Sequence, residues 1–364
     1  MTRTSDRVAL DQWYAVETSA DLGSAPVRTR LLGQDIELSR DEFGTPRITE
    51  LIDGGGRGPP LPFRERYGCV WTSLGAPTRD LFEIAEADEP DRRFVPCGWV
   101  KMRVSGLRMV ENFLDMAHFP FVHKDILGAE DHAEVPHYGS EIRRDVDEVW
   151  ASHCRFFQPR IAATETEGDF VQLTYRVPSP FVVMLYRVCP TAPNRLDAIA
   201  MFVQPMEEGL CRAQAVMYLV DDISTHTSLL LFEQVIFLQD RIILENQRPL
   251  LLPLDPRRCL VDRLSALAQG KGTALRHSDD FRHRSSGGRP SIAQSCRCCC
   301  VGNVGDLTVS PRSCSRQVEA LLGDPRRNVS PQSSNQHRRT PCKMRGKIVR
   351  RVAIALLIRK LVKH

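Results

Sequence analysis

The segment from Glu111 to His123 constrains this chain more than any other, because it places two histidines and two carboxylates within thirteen residues. Glu111, Asp115 and His118 have i, i+4 and i+7 spacing, which predicts a helix that presents all three on one face. Pro120 is expected to end that helix, because proline removes a backbone hydrogen bond and clashes with the preceding turn. The turn that follows would bring His123 to the same point as His118. The sequence therefore predicts that two imidazoles meet at one metal ion.

Asp240 is the candidate for a third ligand, which matters because two imidazoles alone suit iron, zinc, copper and nickel about equally. Residues 224–248 predict one long helix with Ser224 as its N-cap, and Asp240 lies in the apolar stretch of that helix. A buried carboxylate needs a hydrogen-bonding partner or a metal. Two histidines and one carboxylate would leave three positions on an iron ion open for oxygen and substrate. Two alternatives remain: the histidine pair is structural, or Asp240 pairs with Arg241 or Arg248 on a solvated face.

Four residues follow one another in an order that resembles the N-x-x-D-x-x-H-x-x-x-x-H motif of Rieske-type non-haem iron oxygenases: Asn112, Asp115, His118 and His123. The resemblance covers roughly residues 10–256 and implies that His118, His123 and Asp240 bind a mononuclear iron(II). It implies that Asp115 passes an electron from a Rieske centre to a histidine ligand, and that Asn112 lines the iron pocket. The implied fold is α+β: an antiparallel sheet with helices, of the helix-grip or START-like type, preceded by a reduced all-β remnant of the Rieske domain.

The cluster that gives the family its name has no ligands in this chain. A Rieske centre needs two cysteines and two histidines, which the family places between Leu31 and Trp71. In that interval Cys69 is the only cysteine, and there is no histidine. The resemblance therefore implies a partner reductase that brings a Rieske centre together with flavin, a [2Fe-2S] centre and electrons from NADH. In its lack of Rieske ligands and in the sequence of the loop from Asp125 to Glu130, the chain resembles the oxygenase subunits of bacterial methylxanthine N7-demethylases.

The activity implied by this resemblance is oxidative N-demethylation in caffeine catabolism, with 7-methylxanthine and O2 giving xanthine and formaldehyde. Another ring-hydroxylating oxygenase of the family, an O-demethylase or an inactive structural subunit remain as alternatives. The expected partners are the Rieske-bearing reductase, other demethylase subunits and a small aromatic or purine substrate, with the chain in an oligomer. Neither nucleic acid nor membrane is expected as a partner.

Three segments rich in β-branched and aromatic residues predict antiparallel strands: residues 171–177, 181–188 and 213–220. The five cysteines of the first 258 residues are scattered, which is typical of reduced thiols. The first thirty residues lack an apolar core segment, and no run of eighteen uncharged apolar residues occurs, so a cytoplasmic location is expected.

Composition divides the chain into three predicted regions: a reduced Rieske-like β segment at 1–75, the iron catalytic domain at 76–258 and an atypical tail at 259–364. Through Arg258 the chain has 28 Lys and Arg against 39 Asp and Glu, a net charge of −11, and the remainder has 21 against 6, or +15. The basic, cysteine-rich tail could bind metal, or its residues 343–364 could form an amphipathic helix on a membrane or nucleic acid. We favour a third interpretation, a change of reading frame that has replaced the native C-terminus, and we expect the tail to be disordered or frameshifted.

Overall fold

The computed structural model describes residues 3–52, 54–160, 168–190 and 192–252, so the predicted tail at 259–364 lies outside the described residues. The strands are Tyr14–Thr18 (β1), Val27–Leu31 (β2), Gln34–Arg40 (β3), Pro46–Leu51 (β4), Arg57–Pro60 (β5), Phe63–Arg66 (β6), Cys69–Thr72 (β7), Arg93–Met102 (β8), Gly139–Arg143 (β9), Glu148–Gln158 (β10), Asp169–Ser179 (β11), Val182–Cys189 (β12), Ala192–Glu207 (β13) and Leu210–Leu219 (β14). The α-helices are Arg7–Leu10 (α1), Gly106–Leu114 (α2), Phe119–Val122 (α3) and His226–Asn246 (α4). None of these helices is both long and apolar enough to cross a membrane.

A seven-stranded antiparallel sheet forms the centre of the fold, in the order β8-β14-β13-β12-β11-β10-β9. Successive strands from β9 to β14 pair as hairpin neighbours, and β8 closes the order by pairing with β14. This connectivity leaves β8 at one edge, directly before the chain enters α2. The segment that carries the two candidate histidines therefore begins at this edge of the sheet.

Strand β13 separates two hydrophobic cores. Met201 points to a core that also contains Phe119, Phe156 and Phe237, on the face covered by α2 and α4. The next residue, Phe202, points to a second core on the opposite face, because successive side chains of a strand alternate between faces. Both faces are buried, which explains why β13 has a continuous apolar run instead of alternating residues.

Two small antiparallel sheets precede the large one, in the orders β1-β7-β6 and β2-β3-β4-β5. The side chain of Trp71 in β7 is fully buried and packs edge-on against Phe202, with ring centroids 4.8 Å apart. Cys69 is also fully buried in β7. The N-terminal strands thus cover the second face of the large sheet. The division of the chain near residue 75 stays a prediction.

A polar seam, formed by Thr18, Thr29, Gln204 and Gln214, joins the N-terminal strands to the large sheet. The amide of Gln204 donates to Thr29 Oγ1 at 3.0 Å and to the carbonyl of Arg30 at 2.8 Å. The hydroxyl of Thr18 donates to Gln214 Oε1 at 3.1 Å. Both glutamines are fully buried. Because buried amides are costly without hydrogen bonds, the seam specifies how the two parts of the fold meet.

The three predicted strands are confirmed as β11, β12 and β14, each within three residues of its predicted ends. The predicted long helix is α4, but the prediction that Ser224 is its N-cap is wrong. Thr225 occupies that position and accepts the backbone N–H of Ser228 at 3.1 Å. Ser224 instead donates its hydroxyl to Asp221 at 2.6 Å, so it belongs to the preceding turn. The five cysteines between residues 69 and 211 are buried and unbridged, as expected for reduced thiols.

An ion pair between Arg176 and Glu148 connects β11 to β10 inside the fold. Arg176 Nε donates to Glu148 at 2.8 Å, and both side chains are at most 10% exposed. Arg176 also donates to the carbonyl of Glu83 at 2.7 Å, so it ties the segment before β8 to the sheet. Removal of one partner would leave the other charge buried and uncompensated.

We expect Glu148→Ala to lower the free energy of unfolding by about 3–5 kcal/mol, the usual cost of breaking a buried pair from one side. Chemical denaturation of the purified protein measures this. The matched control is Asp145→Ala, which removes the partner of Arg143 in the exposed turn between β9 and β10 and should change stability little. Equal effects of the two substitutions would contradict a structural role for the buried pair.

Candidate metal centre

The segment between Leu114 and His123 is not the single helix that spacing predicts. Helix α2 ends at Leu114, and Asp115 has extended backbone angles of −90° and 106°. Its side chain accepts the N–H of Ala117 at 3.0 Å and starts a 3-10 turn over Met116–His118. This local hydrogen bond competes with continuation of the helix. The prediction of one helical face carrying Glu111, Asp115 and His118 is therefore wrong.

The prediction that Pro120 ends the helix is also wrong. Pro120 lies in the first turn of α3, where the missing backbone N–H has no helical partner to lose. His118 caps α3 at its start, and His123 caps it at its end. Because the helix has only one turn, its two caps lie close together. The Nε2 atoms of the two histidines are 3.1 Å apart, so the expected convergence is present although its predicted cause is not.

Helix α4 brings Asp240 to the same point. Its inner face buries Ile236, Phe237, Asp240 and Leu244. Asp240 is 7% exposed, and its Oδ1 lies 3.0 Å from His123 Nε2 and 3.3 Å from His118 Nε2. The surface alternative for Asp240 is wrong. The two residues proposed for it make other contacts: Arg241 lies beside Glu245, and Arg248 donates to backbone carbonyls.

The three atoms that converge here have the chemistry and spacing of a metal site. His118 Nε2, His123 Nε2 and Asp240 Oδ1 are separated by 3.0, 3.1 and 3.3 Å. Ligand atoms about 2.1 Å from a six-coordinate metal, at right angles to one another, lie about 3.0 Å apart. Asp240 Oδ1 is also buried without a hydrogen bond of good geometry among the described residues. The donor set therefore fits one metal ion held on one face by three protein atoms.

Each histidine has a partner at its other ring nitrogen. His118 Nδ1 lies 3.5 Å from Asp115 Oδ2, and His123 Nδ1 lies 2.8 Å from Gln239 Oε1. The hydrogen bond to Gln239 keeps the proton of His123 on Nδ1 and leaves its Nε2 lone pair free for a metal. The Asp115 carboxylate favours the same tautomer of His118 by its charge, without a hydrogen bond of good geometry. The arrangement thus orients both imidazoles in the way that metal-binding histidines require.

Charge at the centre is balanced by close opposite partners. Burial alone would lower the pKa of His118, but the Asp115 and Asp240 carboxylates raise it to about 9. Burial alone would raise the pKa of Asp240, but His123 and His118 hold it well below its usual range. Without a metal, the centre therefore keeps a proton on His118 at neutral pH, and a cation could replace that proton.

The other residues of the motif lie at different distances from the centre. Asn112 projects from the last turn of α2, and its Nδ2 is buried without a hydrogen-bond partner among the described residues. Glu111 is paired with Arg108 at 2.5 Å, one turn back along α2. His137, His153 and His226, to which no role is assigned, are exposed. Asn112 thus has unused hydrogen-bonding capacity within the described part of the chain.

Sequence reasoning missed two polar residues of α4, the half-buried Gln239 and the buried Glu233. Gln239 directly precedes Asp240, but nothing in its spacing shows that it meets His123. Glu233 is 8% exposed and lies two turns before Asp240 on the same face of α4. Burial raises the pKa of Glu233 to about 7, although the charge of Arg187 opposes this. The sequence does contain a hint of this, because Glu233 precedes Asp240 by seven residues in an apolar stretch, and this spacing places both acids on one face of a helix.

Similarity to known proteins agrees with this geometry. The family model of the vanillate O-demethylase oxygenase C-terminal domain matches residues 102–268, which include all three converging side chains. The chain is 43% identical over 260 residues to a protein named probable methylxanthine N7-demethylase NdmC from Pseudomonas sp. (strain TJI-51), across 71% of this chain and 90% of NdmC.

Solved structures share the fold. Pseudomonas putida CBB5 NdmA (QL mutant with caffeine) superposes with a TM-score of 0.55 at 15% identity, over 72% of this chain and 89% of NdmA. Dicamba monooxygenase bound to 3,6-dichlorosalicylic acid gives 0.54 at 12% identity, over 86% and 97%. This confirms the predicted α+β oxygenase fold. By sequence and by fold, the chain belongs to the Rieske-type non-haem iron oxygenases and is an oxidoreductase of that family.

Proposed function

We propose that His118, His123 and Asp240 bind one iron(II), and that the chain is the catalytic subunit of an N-demethylase that converts 7-methylxanthine to xanthine and formaldehyde. The convergence of their three donor atoms within 3.3 Å in a buried site carries the proposal. The 43% identity to a probable methylxanthine N7-demethylase supports the choice of substrate. Iron held on one face by these residues would supply the activation of O2 beside the substrate.

The overall reaction balances with external electrons. One oxygen atom of O2 enters the N-methyl C–H bond, and the other leaves as water with two protons and two electrons. The resulting N-hydroxymethyl group loses formaldehyde when its C–N bond breaks, and the ring nitrogen takes the proton. The protein must therefore place a methyl group beside the metal and deliver two electrons, while it keeps bulk water away.

The described residues suit the exclusion of water. The ring of Phe119 lies edge-on to His118, with centroids 5.0 Å apart, and edge-on to Phe156 at 5.5 Å. Both phenylalanines are at most 6% exposed. We propose that Asn112 lines the substrate pocket, because its buried amide nitrogen has hydrogen-bonding capacity for a polar edge of the substrate.

Asp115 is proposed to carry the electrons inward. Its side chain is 22% exposed and reaches His118 Nδ1 at 3.5 Å, whereas the side chain of His118 is only 9% exposed. Asp115 therefore connects a ligand to the protein surface. Since the chain lacks Rieske ligands between Leu31 and Trp71, the electrons would come from a partner reductase that carries flavin, a [2Fe-2S] centre and a Rieske centre and oxidises NADH. Other demethylase subunits would complete the oligomer.

This function divides the chain as follows. Residues 1–75 are proposed to be a Rieske-like β segment that has lost its cluster ligands, and residues 76–258 to be the iron catalytic domain. An O-demethylase of methoxylated aromatics is the second candidate, because the matching family model is named for vanillate O-demethylase. Product analysis with both classes of methylated substrate separates the two functions.

The ligand assignment predicts that His118→Ala, His123→Ala and Asp240→Ala each abolish stoichiometric iron binding, because removal of one donor leaves an incomplete face. Iron content of anaerobically reconstituted protein measures this. His226→Ala is the matched control, since His226 is exposed on the same helix as Asp240. Iron retained in all three ligand variants would overturn the assignment.

Asp115→Asn is expected to keep iron bound but to stop turnover, because the amide retains the shape of the side chain without its charge. The measurements are iron content and single-turnover product formation. Asp131→Asn, at an exposed acid in the loop after α3, is the control. Normal turnover of Asp115→Asn would remove Asp115 from the electron path.

Iron binding is expected to release protons in a pH-dependent way. The pKa of His118 is raised to about 9, so this residue is protonated at pH 7 and must lose its proton to bind iron. About one proton per iron should appear at pH 7 and almost none near pH 10. Anaerobic calorimetry in buffers of different ionisation enthalpy counts these protons. A release that does not change with pH would contradict the charge balance described above.

The function itself is tested by adding 7-methylxanthine, NADH and a Rieske-bearing reductase to the iron-loaded chain. We expect formaldehyde and xanthine in equal amounts, and neither without the reductase. Aryl methyl ethers supplied in parallel should give no formaldehyde. Turnover of the ethers but not of 7-methylxanthine would replace the proposed function with O-demethylation.

A further inference from the structure

The two candidate histidine ligands are held by chemically different partners. His118 Nδ1 faces the carboxylate of Asp115 at 3.5 Å, whereas His123 Nδ1 faces the side-chain amide of Gln239 at 2.8 Å. The first partner is partly exposed and charged, and the second is neutral. His123 is itself fully buried. The orientation of its ring therefore depends on contacts inside the protein.

Gln239 is bonded directly to Asp240 in helix α4. Two neighbouring residues of α4 therefore have different contacts. Asp240 supplies a candidate metal-binding oxygen, and Gln239 supplies a hydrogen-bond acceptor to Nδ1 of His123. Asp240 Oδ1 lies 3.0 Å from His123 Nε2, and Gln239 Oε1 lies 2.8 Å from His123 Nδ1. Two consecutive residues of α4 therefore contact the two ring nitrogens of His123. A ring rotation would break the Gln239 contact and move Nε2 off the centre.

We propose that Gln239 is a positioning residue for the metal centre. Its side-chain carbonyl accepts the Nδ1–H of His123, which fixes the tautomer whose Nε2 lone pair points at the metal. This inference rests on the proposed iron site. The direction of the hydrogen bond follows from the metal, since a metal-bound Nε2 leaves the proton of a neutral imidazole on Nδ1. The amide oxygen, not its nitrogen, must then face the ring.

A neutral acceptor suits this position for an electrostatic reason. Asp115 and Asp240 already place two carboxylates within 3.5 Å of the histidine nitrogens. A third carboxylate would add negative charge to a buried site and would stabilise iron(III) over iron(II). An amide orients the imidazole without this change. Gln239 can therefore orient the ring of His123 without adding negative charge to the centre.

The test begins with Gln239→Leu, which removes the acceptor and keeps most of the side-chain volume. We expect the Kd for iron(II), measured by competition with a chromogenic chelator, to rise about 10–100-fold, as for loss of other acceptors behind metal-binding histidines. The metal-free Gln239→Leu protein should still fold, with a loss of thermal stability similar to that of the control below, which also loses one hydrogen bond. Gln234→Leu is the matched control. Gln234 lies on the same helix, but it donates to the carbonyl of Cys97 at 2.9 Å and not to His123.

A second variant separates positioning from packing. Gln239→Glu keeps an acceptor at the same reach, so it should bind iron(II) within a few-fold of the unaltered chain, and its iron should be harder to reduce. The absorption bands of cobalt(II)-loaded protein should shift in Gln239→Leu and stay in place in Gln234→Leu, because only the first changes the geometry of a ligand.

Three results would overturn the inference: unaltered iron affinity and cobalt spectrum in Gln239→Leu, equal losses in Gln239→Leu and Gln234→Leu, or no rescue by a folded Gln239→Glu. Failure of the iron site itself would look different. In that case the unaltered chain would bind no iron, and none of the variants would differ from it.

Discussion

The packing of α4 over the edge strand β8 is the constraint on which the candidate centre depends. Asp240 follows His123 by more than a hundred residues, so only tertiary packing can place its carboxylate 3.0 Å from that imidazole. Glu245 contributes by accepting the backbone N–H of Arg103 at 3.0 Å, and Phe237 and Leu244 on the inner face of α4 pack in the core against the large sheet. These contacts fix the rotation and the height of the helix. A helix held in both respects can present one buried acid to a target only a few ångströms wide.

The convergence of the three candidate ligands and the positions of the main strands could be predicted from sequence, but the backbone that joins the histidines could not. Spacing and side-chain chemistry identify His118 and His123 as partners because only a few residue types bind metals well. Spacing cannot show that Asp115 captures the N–H of Ala117 and stops α2, because that outcome depends on competition between two local hydrogen bonds. The contact of Gln239 with His123 was equally hidden, since it exists only once α3 and α4 have packed.

The charges at the candidate centre favour a cation. Two carboxylates and two imidazoles lie together in a region of low exposure, where uncompensated charge is costly. A proton on His118 offsets part of the negative charge in the metal-free protein. A dication would replace that proton and satisfy Asp240 Oδ1, which lacks a well-oriented hydrogen bond. Metal binding would then relieve an electrostatic cost that folding leaves in place.

The polar seam between the N-terminal strands and the large sheet limits how such a chain can be shortened. Gln204 and Gln214 are fully buried, and their side chains bond to Thr29 and Thr18 in the first thirty residues. If the strands that carry these threonines were removed, Gln214 would lose the hydrogen bond from Thr18, and Gln204 would lose the two bonds that it donates to β2 while keeping the one that it accepts from Arg212. None of these hydrogen bonds needs a cysteine or histidine. The seam therefore depends on the strands that carry the two threonines and not on any residue that could bind a cluster, so these strands are needed to cover the large sheet whatever else they hold.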